Sequence, residues 1–293
     1  MPPARAGHLA MLLFSLLVAG SFALGALAAN EITPLALNVV RFWLATVIVG
    51  GVAFATVGFK PADGAAPWRY PLLAVFFVTY FVLMFEGLKT APPVSAAAVF
   101  TLTPILAAGF GWLLLRQRLT ARMAVALLIG GVGAIWVIFR ADIAAIMRFE
   151  IGQGEAIYFW GVMAHAVYTP LVRKLNRGES PLVFSFGVLL AGSLILTVVG
   201  WNDLRATNWS TLPAIVWITI AYTGLFASSA TFVLLQFAAL RLPSSKVMAY
   251  TYLTPSWVIV WDVALGGQLP SVWVAAGLLL TVVALLMLLR DDG

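Results

Sequence analysis

The chain has 293 residues, of which 62% are hydrophobic and only 10% are charged. This composition excludes a soluble globular protein and predicts an all-α polytopic membrane protein, whose surface lies mostly in lipid. The formal net charge of +6 comes from basic residues scattered at the ends of apolar runs, which indicates membrane topology rather than a nucleic-acid surface.

Turn and charge signals divide the chain into ten apolar segments, each near the roughly 20 residues that a membrane-spanning helix needs. The first segment follows Arg5 and ends in small residues, so a cleaved signal peptide is an alternative. We favour a membrane span, because this segment completes the first half of a repeat. The segments are 8–29, 34–57, 69–88, 92–115, 119–140, 153–173, 180–200, 211–236, 242–265 and 270–290.

The order of segments and turns repeats along the chain. A Leu-Thr-Pro tripeptide ends at Pro104 in the fourth segment and at Pro255 in the ninth, 151 residues later. A hydroxyl residue followed by Pro-Leu opens the second segment at Thr33 and the seventh at Ser180. Several matches in the same order predict a duplicated module.

Each half of the chain contains five predicted spans, an odd number, so the second copy enters the membrane from the opposite side. We therefore predict two inverted five-helix repeats, residues 1–145 and 146–293, around a central cavity. With the amino terminus in the cytoplasm, twelve Lys and Arg residues fall on the inner side and four on the outer side. This bias predicts a multi-pass protein with both termini cytoplasmic.

The chain resembles the ten-span EamA-type permeases of the drug/metabolite transporter superfamily over essentially its whole length. The matching residues are Arg41-Phe42, Ala91-Pro92, Leu102-Thr103-Pro104, Leu242-Pro243 and Leu253-Thr254-Pro255. The resemblance implies a transporter of a bacterial inner membrane rather than an enzyme. The aromatic-rich middle segments of the chain are most similar to exporters of amino acids, notably aromatic ones. Many members carry Gly-Glu after the fourth and ninth spans, where this chain has Gln117 and Gln268 in place of the glutamate. No role of that glutamate transfers to this chain.

Pro104 and Pro255 lie about twelve residues into their segments, or roughly 18 Å at 1.5 Å per residue, close to the bilayer midplane. A proline inside a helix removes a backbone hydrogen bond. We predict paired hinges beside the central cavity; the alternative is two fixed kinks that only shape the bundle.

A polar stripe on the sixth segment is formed by Tyr158, His165 and Tyr168, which share one helical face. Since an imidazole in lipid has no partners, this face is predicted to line a solute cavity or to bond across a helix pair. Aromatic side chains at helical spacing also pack against other helices, so packing remains the alternative for the rest of the set. That rest is Tyr80, Met84, Tyr222, Ser229, Tyr250, Thr254 and Trp257.

Charge inside a membrane span is expensive, and three of the charged residues in the predicted segments are candidates for a buried ion pair. Arg41 is seven residues into the second segment, and Glu86 and Asp262 lie near the outer ends of the third and ninth. We predict an ion pair between Arg41 and one of these carboxylates, acting either as an outer gate or as a permanent structural pair. Snorkelling of the charged side chain to the lipid headgroups is a further alternative.

We expect a secondary transporter or facilitator that exports small organic solutes, namely aromatic or neutral amino acids and related metabolites, by alternating access. A transporter of sugar phosphates or nucleotide sugars is an alternative that needs two basic residues at the cavity, for which Lys246 and Arg41 are the candidates. A membrane-embedded enzyme acting on lipid is a further alternative.

No metal or cofactor is expected, because the chain has two histidines, no cysteine and no Gly-x-x-x-x-Gly-Lys phosphate loop. The expected partners are a small-molecule solute and the lipid bilayer, without nucleic acid. Nothing in the sequence requires an assembly larger than a monomer.

Overall fold

The computed structural model describes residues 3–148 and 150–289, and the last residue of the tenth predicted segment lies outside them. The first half follows the predicted segments, except that the fourth is divided in two and a short helix is added after the fifth. Its α-helices are α1 (Pro3–Ala28), α2 (Pro34–Thr56), α3 (Arg69–Gly87), α4 (Pro93–Phe100), α5 (Thr103–Leu115), α6 (Ala121–Ile138) and α7 (Ile143–Arg148).

The second half repeats this order, with its ninth segment also divided. Its α-helices are α8 (Gln153–Leu175), α9 (Pro181–Val199), α10 (Trp201–Ala206), α11 (Ala214–Gly224), α12 (Thr231–Ala239), α13 (Ser244–Ala249), α14 (Thr254–Ala264) and α15 (Val272–Leu289). A π-helical turn, Leu225–Ala230, joins α11 to α12, and a 3-10 turn, Tyr250–Leu253, joins α13 to α14.

Eight helical stretches among the described residues are long and apolar enough to cross a bilayer. The other two predicted spans are α8, which is 23 residues long but carries charged residues in its first and last turns, and the interrupted α13–α14 pair. These ten stretches confirm an all-α polytopic membrane fold.

The repeat is visible in matching helix starts. Thr33 precedes Pro34 at the start of α2, and its hydroxyl oxygen accepts a hydrogen bond from the N–H of Ala36 at 3.3 Å. Ser180 precedes the first proline of α9 and accepts from Val183, also at 3.3 Å. Both side chains satisfy a helix-start N–H that would otherwise lack a partner, so the same cap is built twice.

The interrupted helices of the two halves cross each other in opposite directions. The first part of one span packs on the second part of the other: α4 contacts α14, and α5 contacts α13. Helices at the same place in the two halves also pack on each other, α2 on α9 and α6 on α15. The third span of each half packs on the first span of the other half, α3 on α8 and α12 on α1. This antiparallel arrangement is the one that an inverted repeat requires.

Candidate functional site

Aromatic side chains from α1, α3, α4, α8 and the α12 span fill the middle of the bundle. We call the part around His165 the central aromatic cluster. The Tyr80 and His165 rings lie 4.4 Å apart between centroids, and the Tyr158 hydroxyl donates to the Tyr80 hydroxyl at 3.3 Å. The members of the cluster are Phe77, Tyr80, Phe81, Phe100, Tyr158, His165, Tyr168 and Phe232.

The predicted polar face of α8 therefore points at α3 and not at lipid. Tyr80, Tyr158, His165 and Tyr168 are each at most 1% exposed and pack against their neighbours, so the site is closed in this conformation. Met84, one turn after Tyr80 on α3, is also fully buried.

Two polar atoms in and beside the cluster have no hydrogen-bond partner within the described part of the chain. They are Nδ1 of His165 and Oε1 of Gln236, and both side chains are buried. The amide nitrogen of Gln236 donates to the Tyr168 hydroxyl at 2.7 Å. A buried polar atom left unpaired costs about 1–3 kcal/mol, so each is a place where a polar group of a ligand would gain most.

Gln236 belongs to the polar pattern of the eighth segment, which the sequence also indicates as a candidate cavity wall. Its position on α12, packed near α8, places a polar amide at the edge of the aromatic cluster. Its hydrogen bond to the Tyr168 hydroxyl is what assigns Gln236 to the edge of this cluster.

The other predicted cavity residues contact α1 or local backbone rather than the cluster. Tyr222 donates to the carbonyl of Leu17 at 2.9 Å, and the indole N–H of Trp257 donates to Ser15 at 3.3 Å. The ring of Tyr250 lies 6.1 Å from that of His8. These three residues therefore form a second polar-aromatic surface along α1.

The remaining two predicted cavity residues lie at irregular helix turns. The Ser229 hydroxyl donates to the carbonyl of Gly224 at 2.7 Å within the π-helical turn. Thr254 is buried at the start of α14, and its hydroxyl has no partner in the described chain. Its repeat counterpart Thr103 instead donates to the carbonyl of Phe100 at 2.5 Å.

Pro104 and Pro255 lie in the first turns of α5 and α14, directly after the two helix interruptions. At this position the missing N–H costs no helical hydrogen bond. The structure thus refines the predicted kinks into breaks between separate half-helices. Because α4 packs on α14 and α5 on α13, both breaks lie in the region where the two spans cross.

The predicted ion pair of Arg41 with Glu86 or Asp262 is not formed among the described residues. Glu86 instead binds the ammonium of Lys89, three residues later, at 2.8 and 3.0 Å. The Asp262 carboxyl lies against the turn at Gly267, where a Cβ atom would come within 2.7 Å of it. Glu86 is thus paired on its own helix end, and Asp262 packs at the end of α14. The gate prediction in that form is wrong for this conformation.

Arg41 is fully buried and bound by neutral groups. It donates to the Ser228 hydroxyl from Nε at 3.0 Å and from Nη2 at 2.8 Å. Longer bonds reach the Asn38 side chain at 3.4 Å and the Ala227 carbonyl at 3.5 Å. The guanidinium carbon lies 4.0 Å from the centroid of the Phe81 ring, which places Arg41 directly beside the central aromatic cluster.

Sequence reasoning missed both Asn38 and Ser228. Asn38 lies three residues before Arg41 on the same helical face, a spacing that could have identified it. Ser228 lies in the π-helical turn, which adds residues per turn and changes which side chain faces α2. No sequence signal marks that turn.

Two contacts join helices at the face where α1 begins, which we call the amino-terminal face. Arg69 and Glu179 form a buried ion pair of 2.5 Å between α3 and the α8–α9 loop. Gln117, after α5, accepts a hydrogen bond from the backbone N–H of Ser244 at the start of α13, at 3.2 Å. Gln117 is thus a neutral cap for α13.

The charge state of Glu179 is set by opposing effects. Burial disfavours the carboxylate, but hydrogen bonds from Arg69 and from the backbone N–H of Arg177 outweigh it and lower the pKa of Glu179 below its usual value of 4.5. The ion pair is therefore intact at neutral pH.

Comparison with known proteins matches a sequence profile described as the EamA-like transporter family, at residues 5–139 and again at 153–290. Two uncharacterized transporters of Bacillus subtilis (strain 168), YyaM and YwfM, are each 24% identical, over 88% and 87% of this chain and 86% and 84% of theirs. An uncharacterized transporter of Archaeoglobus fulgidus is 21% identical over 94% of both chains.

A solved crystal structure of a protein aligns with 97% of this chain and 95% of its own, at a TM-score of 0.73 and 20% identity, which bears on the fold alone. The double match of the family profile covers nearly all of the sequence. The chain therefore belongs to the EamA-like transporter family.

Proposed function

We propose that the chain is a secondary transporter or facilitator that exports small organic solutes, with aromatic or neutral amino acids as the principal class. The observation that carries this proposal is the central aromatic cluster. Within it and at its edge, polar atoms of His165 and Gln236 lack a hydrogen-bond partner among the described residues. A mostly apolar, aromatic site with a few convergent polar groups suits a small amphipathic ligand.

The proposed transport cycle uses the two interrupted spans. The half-helices α5 and α13 pack together at the amino-terminal face, and α4 and α14 pack together toward the opposite face. Tilting of one pair can therefore open its own face while the other face stays closed. Pro104 and Pro255 are the proposed hinges, and the repeats they belong to extend over 1–145 and 146–293. This is alternating access around the central aromatic cluster.

The proposed orientation follows the distribution of Lys and Arg, which assigns the amino-terminal face to the cytoplasm. Both termini are then cytoplasmic, and the membrane is a bacterial inner membrane. The Arg69–Glu179 ion pair and the Gln117 cap hold helices together at this cytoplasmic face.

The test is solute flux in proteoliposomes. Purified protein is reconstituted, and uptake of radiolabelled phenylalanine, leucine and a sugar phosphate is measured with and without a pH gradient, against empty liposomes. The proposal expects saturable amino-acid flux and no sugar-phosphate flux. Absence of flux for every amino acid under every gradient would overturn it. Dependence on the pH gradient distinguishes a proton-coupled carrier from a facilitator.

A further inference from the structure

We propose that Arg41 binds the carboxylate of the transported solute, so that the substrates are organic carboxylates with an apolar or aromatic body. This inference rests on the proposed function above and names the recognition group of the same site. It replaces the predicted gate role of Arg41 with a binding role.

The first argument is the missing counter-charge. A guanidinium stays protonated, and charged groups inside membrane proteins are nearly always paired. Yet the hydrogen bonds of Arg41 reach only neutral oxygens of Ser228, Asn38 and Ala227 among the described residues. By contrast, Arg69, which is buried to a similar extent, is paired with Glu179.

The second argument is the geometry of the guanidinium. The Ser228 hydroxyl holds Arg41 through Nε and Nη2. Within the described part of the chain, Nη1 makes a single hydrogen bond, to Asn38, which is 3.4 Å long. Carboxylates bind guanidinium groups through two parallel N–H bonds of roughly 2.7–2.9 Å. A solute carboxylate at the Nη edge would replace long neutral contacts with short charged ones.

The third argument is the local backbone. Ser228 belongs to the π-helical turn Leu225–Ala230, and such turns inside α-helices are frequent at functional sites. The turn also brings the Ala227 carbonyl within 3.5 Å of Nη2 of Arg41. An irregular turn of the eighth span thus presents Arg41 with hydrogen-bond acceptors that fix the guanidinium in place.

The fourth argument is what lies next to the cation. The guanidinium carbon is 4.0 Å from the Phe81 ring centroid. The centroid of the Phe81 ring is in turn 4.8 Å from that of Phe77 and 4.6 Å from that of Tyr80. A solute with its carboxylate on Arg41 would therefore lay its body against these aromatic rings. The His165 ring, whose centroid is 4.4 Å from that of Tyr80, would then contact the other end of the solute.

The experiment compares phenylalanine with phenylalaninamide, which lacks the carboxylate, as competing substrates in proteoliposomes. Wild-type protein is expected to prefer the acid by about tenfold or more, the ratio that a charged hydrogen bond supplies. In Arg41→Gln the ratio is expected to fall to about one. The matched control is Arg241→Gln, since Arg241 is an exposed arginine stacked 3.5 Å from the Phe237 ring, and it should keep the wild-type ratio.

Two results would overturn the inference while leaving the proposed function standing: wild-type flux without preference for the acid, or an Arg41→Gln variant that transports with the wild-type ratio. If Arg41→Gln does not fold, Arg41→Lys serves instead; it keeps the charge but loses the two-point geometry, and should give an intermediate ratio.

A second measurement separates this inference from a failure of the proposed function. Phenylacetate, benzoate and their amides are added to the detergent-purified protein, and the shift in melting temperature is recorded. Stabilisation by the acids alone, lost in Arg41→Gln, supports Arg41 as a carboxylate site even if no amino acid is transported. Equal shifts with acid and amide, or no shift with any carboxylate, would overturn it.

Discussion

Arg69 and Glu179 form a 2.5 Å ion pair that joins the start of α3 to the loop between α8 and α9, and both side chains are buried. Arg69 also donates to the carbonyls of Leu175 at 2.6 Å and Ala65 at 2.8 Å. The pair therefore joins the two halves of the chain at the amino-terminal face.

Removing one partner of this pair should destabilise the protein strongly. In Glu179→Gln the Arg69 guanidinium stays buried without a counter-charge, a change that typically costs about 3–5 kcal/mol. The matched control is Lys89→Gln, which breaks the more exposed Glu86–Lys89 pair and should cost about 0–1 kcal/mol. Thermal unfolding in detergent measures both variants, and equal losses would show that the buried pair has no special role.

The stability from the same pair should depend on pH in one direction. Because the pKa of Glu179 is lowered in the folded protein, its contribution is complete above the usual value of 4.5 and is lost as the pH falls through the lowered value. The difference in melting temperature between wild type and Glu179→Gln should therefore stay constant from pH 7 to about 4.5 and shrink below it. A difference that shrinks already between pH 7 and pH 5 would contradict this.

Close contact between α6 and α15 makes Gly133 sensitive to added volume. A Cβ atom there would lie 2.6 Å from the backbone oxygen of Gly277, which cannot move aside easily. Gly133→Ala should therefore destabilise the protein by about 1–3 kcal/mol. Gly51→Ala is the control, because a Cβ at Gly51 meets nothing within 4 Å, and it should be neutral or stabilising by up to about 1 kcal/mol. Equal effects of the two changes would contradict the tight crossing.

The prolines at the helix breaks should control turnover rather than affinity. Pro104→Ala and Pro255→Ala each restore an N–H that can close the break with a hydrogen bond of about 0.5–1.5 kcal/mol. If the break opens in every transport cycle, this added hydrogen bond has to be broken each time. In both variants kcat should then fall about two- to tenfold, with little change in KM. The control is Pro181→Ala, at an uninterrupted helix start, which should leave kcat unchanged. Unaltered turnover in both hinge variants would favour fixed kinks.

Much of the fold could be predicted because its signals are local in sequence. The caps at Thr33 and Ser180 and the breaks before Pro104 and Pro255 follow from backbone chemistry that depends on a few neighbouring residues. The polar face of α8 follows from helical periodicity around His165.

The pairing within the site depends on distances between helices, which the sequence does not contain. Glu86 pairs with Lys89, which lies within one helical turn of it in the sequence, and not with Arg41 on another helix. Counting in steps of 3.6 residues from Tyr222 selects Ser229, whereas the π-helical turn presents Ser228 to Arg41. The sequence therefore singled out Arg41 as a charged residue inside a span, but not the residues that it contacts.

Alternating access is tested most directly by locking the amino-terminal face with a disulfide. The chain contains no cysteine, so an introduced pair is the only possible cross-link. A Cβ atom at Gly111 on α5 would lie 3.6 Å from the Cβ of Ser244 on α13, within the roughly 3.5–4.5 Å that disulfides require.

The measurement is amino-acid flux by the Gly111→Cys, Ser244→Cys double variant in proteoliposomes, oxidised and then reduced, beside each single variant. Alternating access predicts that flux stops in the oxidised double variant, returns on reduction, and is unaffected by oxidation in the single variants. Full turnover by completely cross-linked protein would contradict it.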